Sequence, residues 1–286
     1  MSNENFLNDF NKFISSLVKK GSIVNNASIY ALQSGGKRFR PLLTYNVCKY
    51  LGVPKKNIVY ISAAIECIHS YSLIHDDLPC MDNDLLRRGK PTCHIKYNEA
   101  QALLAGDGLQ SLAFELISDK KFKIDDKAKI SMIHKLSKLI GLEGMVLGQS
   151  LDIEYEIKKG SYKILKKIHE NKTGKLIQAC FELPLLANDV QKSIKLKLQL
   201  LGRSVGILYQ MIDDFMDDQS NFKVFGKKTG KDREKNKTTY LTFLGKDKTE
   251  DLIKKEYLKI TALSKELNLN SSFKLLLNEI YTRYEY

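Results

Sequence analysis

An all-α fold is predicted for this 286-residue chain, on three observations. Apolar residues recur every three to four positions over most of its length, the period of helices buried on one side. Strand-like alternation bounded by turn residues is scarce. Glycine and proline fall between the periodic stretches, at Gly35-Gly36, Gly52-Val53-Pro54, Gly89-Lys90-Pro91 and from Gly226 to Gly230. The first stretch, Pro41 to Leu51, begins on a proline suited to a first helical turn. Ile58 to His75 is long and apolar and runs into an aspartate cluster. Asn98 to Ile117, Ala128 to Gly141 and Tyr162 to Leu186 follow. Ser193 to Met216 is again long and apolar and ends in a second aspartate cluster, and Lys248 to Leu267 closes the series. Loops are short, no linker stands out, and no repeat of 30–45 residues suggests a solenoid. The expectation is a single all-α domain over residues 1–286, a bundle of about ten or more helices. If the two aspartate-tipped helices face one another, both clusters meet at one rim of a deep central cavity, a common place for sites in bundles.

At 43% hydrophobic residues the chain can bury a substantial core. Its five cysteines, Cys48, Cys67, Cys80, Cys93 and Cys180, are scattered and form no C-x-x-C pair, which argues against zinc or a disulfide framework and for a reducing compartment. The N-terminus is polar and carries Glu4, without the basic and apolar regions of a signal peptide. No run of 18 apolar residues predicts a membrane span. A cytoplasmic protein is expected. The net charge of +13 invites a nucleic-acid reading. The kind of base opposes it: 39 lysines stand against 7 arginines, as on solvated helix faces. Four of the seven, Arg38, Arg40, Arg87 and Arg88, fall in two short motifs, where planar, bidentate recognition is the reason to choose arginine.

The aspartate clusters are Asp76-Asp77-Leu78-Pro79-Cys80-Met81-Asp82-Asn83-Asp84 and Asp213-Asp214-Phe215-Met216-Asp217-Asp218. Carboxylates this dense repel one another unless cations sit among them, and Mg²⁺ joins protein carboxylates to substrate phosphates. Basic residues beside each cluster, Arg87-Arg88-Gly89-Lys90 after the first and Lys227, Lys228 and Lys231 after the second, complete a diphosphate-handling chemistry. Asp213 and Asp217, spaced i, i+4, share a helix face with Gln210, and Asp214 lies ~100° round. Asp76 and Asp82 would fall ~240° apart on an ideal helix. Pro79 should break the turn and let Asp82 swing back toward Asp76. His69, two turns before Asp76, lies in line with it. Gly35-Gly36-Lys37-Arg38-Phe39-Arg40-Pro41 offers glycines for close backbone approach, a helix start, and Lys37 and Arg40 to grip one phosphate. Lys172-Thr173-Gly174-Lys175 adds basic and hydroxyl groups, and neither it nor residues 226–231 matches a Walker motif.

Together the Gly35–Pro41 segment, the Asp76–Asp82 motif, Arg87-Arg88-Gly89-Lys90-Pro91 and the Asp213–Asp217 motif resemble the trans-isoprenyl diphosphate synthases, or polyprenyl synthetases, from about Tyr30 to Tyr240 and in that family's order. The first motif, lengthened by two residues within Leu78-Pro79-Cys80-Met81 between its aspartates, is most similar to that of the bacterial members that make farnesyl diphosphate. The resemblance implies an isoprenoid-synthase-type bundle, a homodimer, and three Mg²⁺ ions, with Mn²⁺ as a substitute. It implies that Asp76 and Asp82 hold two ions and Asp213 the third, with Asp77, Asp214 and Asp217 beside them. Isopentenyl diphosphate would be gripped by Lys37, Arg40, His69 and Arg88. The allylic diphosphate would be held by Arg87, Lys172, Thr173, Gln210, Lys227 and Lys237, with Gln149 at a further polar position. It implies ionisation, condensation and elimination, with Lys172 and Lys227 assisting the departing diphosphate. Ser72 and Tyr71, four and five residues before the first aspartate, would set cavity depth, and a bulky Tyr71 favours a C15 product. A C20 product stays open, because the Leu78–Asp84 segment also resembles geranylgeranyl synthases. Leu85 departs from an aspartate common in the family.

Other classes fit less well. A terpene cyclase would not need Lys37, Arg40 and His69 for a second diphosphate. A non-catalytic prenyl synthase subunit would be expected to lose one aspartate cluster, and both are present. Neither nucleic acid nor membrane insertion is expected.

Overall fold

The computed structural model describes residues 2–158, 160–223 and 239–285, with backbone alone at 157, 217–223 and 283–285. It divides into two compact units, Met1–Lys135 with Leu183–Asp189, and Leu136–Glu182 with Val190–Tyr286. Both are helical.

In the first unit, α1 (Asn3–Leu17) is capped by the Ser2 side chain, which accepts from the Asn5 N–H, and it buries Phe6, Phe10 and Ile14 along one stripe. Ser22 caps α2 (Ile23–Gln33) in the same way. The stretch expected from Pro41 is α3 (Phe39–Tyr50). That expected from Ile58 is α4 (Lys55–Asp76), and every residue from Tyr60 to Ile68 along it is buried. Burial on all sides makes α4 the core of this unit. By length and composition α4 could cross a membrane, yet 72% of its most apolar window is buried within the protein. After it come a two-residue antiparallel hairpin, β1 (Leu86–Arg87) and β2 (Lys90–Pro91), the short α5 (Cys93–Tyr97) and α6 (Glu99–Ser118). Helices α4 and α6 meet closely because α6 buries Ala102, Ala105, Gly106, Leu109 and Ala113. A Cβ at Gly106 would stand 2.1 Å from Nε2 of His75, and that ring nitrogen lies 3.0 Å from the Leu103 carbonyl. Helix α7 (Asp126–Ile140) runs from this unit into the next.

The second unit holds α8 (Met145–Ile157) and α9 (Tyr162–His169). The expected single helix from Tyr162 to Leu186 is interrupted. A π-helical turn, Glu170–Gly174, separates α9 from α10 (Lys175–Glu182), and Pro184–Leu186 is a 3₁₀ turn assigned to the first unit. Periodicity alone does not reveal the one-residue insertion of a π turn. Helix α11 (Lys192–Lys223) continues past the expected end at Met216. The unit closes with α12 (Tyr240–Leu244), α13 (Lys246–Glu266) and α14 (Ser271–Glu285). Side-chain-free positions let α11 pack tightly: a Cβ at Gly202 would meet the Phe181 ring at 2.7 Å, and one at Gly206 would meet Gly174 at 3.0 Å.

Candidate active site

The first aspartate motif is built where α4 stops. The chain turns over buried Leu78, whose carbonyl accepts from Met81 N (2.9 Å) and Asn83 N (3.1 Å). Pro79 has no N–H to continue the helix. Asp82 N donates to the Asp76 carbonyl at 2.8 Å, so two residues that a regular helix would set on different faces share one turn. Both are half-buried. Among the described residues no three His, Cys, Asp or Glu side chains form a ready-made metal cage. Mg²⁺ takes one or two protein carboxylates and completes its shell with water and substrate phosphate, and Asp76 and Asp82 are oxygen donors of that kind.

Asp77 is turned elsewhere. It is 3% exposed, and Arg87 donates from Nε to both its oxygens at 2.7 and 2.9 Å, with Nη2 2.5 Å from Oδ1. Asp84 lies 3.7 Å from the same Nη2. Burial alone would loosen Arg87's proton, and Asp77, with Asp84 and Asp76, more than reverses this. Burial raises the Asp77 carboxyl, and Arg87 opposes that rise through a two-toothed contact that fits the ionised form. The pair is therefore read as charged and bidentate. Arg88 and Gly89 form the two-residue hairpin tip, with φ of 54° and 73°, the left-handed pair of a type I′ turn. Tyr30 Oη secures the hairpin by donating to the Pro91 carbonyl at 2.6 Å. Neighbours in sequence thus part company: Arg87 goes down to Asp77, and Arg88 reaches the Gly35 carbonyl through Nη1.

The glycine pair receives Arg88. Gly35 and Gly36 have φ of 91° and 110°, and a Cβ at Gly36 would lie 2.5 Å from the Arg88 guanidinium carbon. Arg40 Nη1 stands 3.4 Å from His69 Nε2. Arginine can only donate, so Nε2 accepts and the ring proton is assigned to Nδ1. Burial holds the imidazole well below its usual protonation range, and Arg40, Arg88, Arg87 and Arg38 reinforce this. The first unit therefore gathers Arg40, Arg88 and a neutral His69, with exposed Lys37 on the same loop. This is an array for an anion. Tyr71 is 5% exposed, with its ring edge-on to His75 at 5.6 Å, and Ser72 Oγ donates to the His69 carbonyl at 2.9 Å.

In the second unit, half-buried Asp213 lies on α11 beside Asp214, which is 7% exposed. Asp214 accepts from Gln210 Nε2 at 2.9 Å and Tyr240 N at 3.2 Å. Gln210, expected to share the face of Asp213, is thus drawn to Asp214. His169 Nε2 stands 3.6 Å from Asp214, and burial lowers that imidazole to about 4, so it is neutral and makes no ion pair near neutral pH. Lys172 and Thr173 are carried by the π turn, a local device frequent at functional sites. Lys172 Nζ is held 2.6 Å from Asp152 on α8, one turn along from half-buried Gln149.

The profile described as Polyprenyl synthetase matches residues 22–276. The chain belongs to the polyprenyl synthetase family. Among its relatives, the farnesyl diphosphate synthase of Haemophilus influenzae is 44% identical over 229 residues, covering 78% of this chain and 77% of the relative. A geranyltransferase from Legionella pneumophila has a TM-score of 0.84 at 34% identity, covering 99% of this chain and 93% of that one. A geranyltransferase from Helicobacter pylori, solved with magnesium and isoprenyl diphosphate, has a TM-score of 0.82 at 31% identity, covering 99% and 95%. As in a polyprenyl synthetase, the aspartate and basic motifs belong to one continuous match. Lys227 and Lys237 lie outside the described residues, and Asp217 is described by its α11 backbone alone. Sequence reasoning passed over Glu66, Asp152, His169 and Tyr240. For two of them spacing was a signal: Glu66 sits one turn before His69, and Asp152 one turn after Gln149.

Proposed function

We propose that this polyprenyl synthetase is a Mg²⁺-dependent, chain-elongating prenyltransferase that joins isopentenyl diphosphate to dimethylallyl diphosphate, giving geranyl diphosphate, and to geranyl diphosphate, giving farnesyl diphosphate. The observation that carries the proposal is the Asp76–Asp82 turn with arginines 40 and 88 and His69 in the same unit, in a chain whose family match spans both units. That span supports treating the chain as one prenyl synthase domain. Lys37, Arg40, Arg88 and neutral His69 bind the diphosphate of isopentenyl diphosphate, the arginines by planar donation and His69 through one N–H. Lys172, Thr173, Gln210, Gln149 and Arg87, with Lys227 and Lys237, hold the allylic diphosphate. Asp77 aims Arg87, Asp214 aims Gln210, and Asp152 aims Lys172. Asp76 and Asp82 would hold two Mg²⁺ ions and Asp213, with Asp217, a third. Bound Mg²⁺ supplies neutralisation of the charge that builds on the leaving diphosphate.

The fixed cations stabilise that charge as the allylic C–O bond breaks. The allylic carbocation then alkylates the double bond of isopentenyl diphosphate. A proton passes from the adduct to the released diphosphate, so no side-chain base is required. Apolar surroundings keep water from the cation. Exposed Leu85, Leu86, Ile95, Leu103 and Leu104 support a homodimer, and five cysteines that form no disulfide among the described residues support a reducing, cytoplasmic setting. The experiment is turnover of both substrates with Mg²⁺ against chelator, in wild type, Asp76→Ala and Asp213→Ala. Each variant is expected to fold and to lose about three orders of magnitude in kcat. Near-wild-type turnover in either would remove that residue from the metal site.

A further inference from the structure

Glu66 is 3% exposed on the core helix α4, where an ionised carboxylate persists only with a compensating partner. Its partner is Arg38, whose Nη1 lies 2.5 Å from Glu66 Oε1, while Nη2 donates to the Leu32 carbonyl at 2.5 Å. The guanidinium also stands 6.0 Å from the centre of the Phe10 ring. Thus the one arginine of the Gly35–Pro41 segment that points into the core is fastened on three sides.

The backbone at Arg38 explains why fastening matters. Arg38 is the N-cap residue of α3 and has φ of 49°, a left-handed conformation that a side chain bearing Cβ adopts only when its surroundings demand it. It follows Gly35 and Gly36, which also have positive φ. A loop with that many left-handed residues has no regular ladder to define it. Its direction is set by anchors: Arg88 on the Gly35 carbonyl and Glu66 on Arg38. Lys37 and Arg40 flank the second anchor. Glu66, His69 and Asp77 share one face of α4, since eleven residues bring Asp77 to within ~20° of Glu66 and about 16 Å along the axis. Each end of that face carries a buried carboxylate holding one arginine, Arg38 or Arg87. Between them His69 meets Arg40.

We propose that Glu66 is a positioning residue for isopentenyl diphosphate: by locking Arg38 in its left-handed conformation it fixes the direction in which Lys37 and Arg40 present their charge. The proposal rests on the prenyltransfer reading above. It also gives the four motif arginines different tasks: Arg38 is held in the loop by Glu66, Arg87 is aimed by Asp77 for the allylic diphosphate, and Arg40 and Arg88 serve isopentenyl diphosphate.

Glu66→Gln keeps the size of the side chain and removes the charge that holds Arg38. The expected result is a KM for isopentenyl diphosphate raised about tenfold or more, with kcat and the KM of the allylic substrate changed less than about threefold. If Glu66→Gln does not fold, the double variant Arg38→Met/Glu66→Leu replaces the buried pair with apolar groups of similar volume, a change that buried ion pairs often tolerate. It should show the same split. A folded variant with the isopentenyl diphosphate KM within about twofold of wild type would overturn the proposal. Equal rises in both KM values would overturn it too, since they report general damage. Absence of turnover in the wild type would instead overturn the prenyltransfer reading.

Discussion

Arg87 and Arg88 are adjacent, identical and differently employed. The left-handed hairpin tip at Arg88 and Gly89 throws one side chain toward buried Asp77 and the other toward the Gly35 carbonyl. Sequence reasoning identified both as diphosphate ligands because arginine is scarce in this chain. The family resemblance gave Arg88 to isopentenyl diphosphate and Arg87 to the allylic diphosphate, but the physical division between them, a buried carboxylate ten residues before Arg87, is not written in the local sequence. Lys37, exposed on its loop, tests the ligand reading without a structural burden. Lys37→Ala should raise the KM for isopentenyl diphosphate about tenfold, with little change for the allylic partner, the energy of one charge-assisted contact. An effect confined to the allylic substrate would mean that the two assignments are exchanged. His169 tests burial. Its pKa is lowered from 6.5 to about 4 by desolvation. The unfolded chain therefore takes up the proton first. Its contribution is whole above pH 6.5 and is lost as pH falls toward 4, by up to about 3 kcal/mol. Urea unfolding across that window should show wild type losing stability more steeply than His169→Gln. Equal slopes would show that His169 is not held neutral.

At the scale of elements, the π turn Glu170–Gly174 connects sequence to site most directly. It interrupts what periodicity reads as one helix, and it carries Lys172 and Thr173. Glycines make room for it. A Cβ at Gly148 of α8 would lie 2.1 Å from Lys172 N and 2.6 Å from the Asn171 carbonyl carbon, both backbone atoms that cannot rotate away. Gly148→Ala should therefore lower stability by about 2 kcal/mol or more and displace Lys172. Thermal unfolding, together with the allylic KM, checks this; an unchanged Tm would contradict the close approach. The long helices α4, α6 and α11 were legible because their apolar period is sustained. Helices α1 and α2 went unread, although Ser2 and Ser22 cap them and Phe6, Phe10 and Ile14 mark a stripe on the first. The hairpin, two residues to a strand, is too short to show an alternation. The fold-back of Asp82 onto Asp76 was legible from Pro79 alone, because a missing N–H has a local consequence. The anchors Glu66 and Asp152 were not, because a carboxylate that holds a cation looks like a solvated one until its partner is known.

For the whole molecule, the family match over residues 22–276 and the likeness to solved geranyltransferases agree on an all-α isoprenoid synthase fold. What the fold leaves to individual residues is product length. Buried Tyr71, one turn and a residue before Asp76, is the side chain proposed to stop the growing tail. The most direct measurement is to incubate the purified protein with Mg²⁺, labelled isopentenyl diphosphate and geranyl diphosphate, and to size the products of wild type and Tyr71→Ala. The account predicts a C15 product from wild type and a longer one from the variant. No elongated product from the wild type with either geranyl or dimethylallyl diphosphate would contradict it, and a wild-type C20 product would keep the chemistry and discard Tyr71 as the floor.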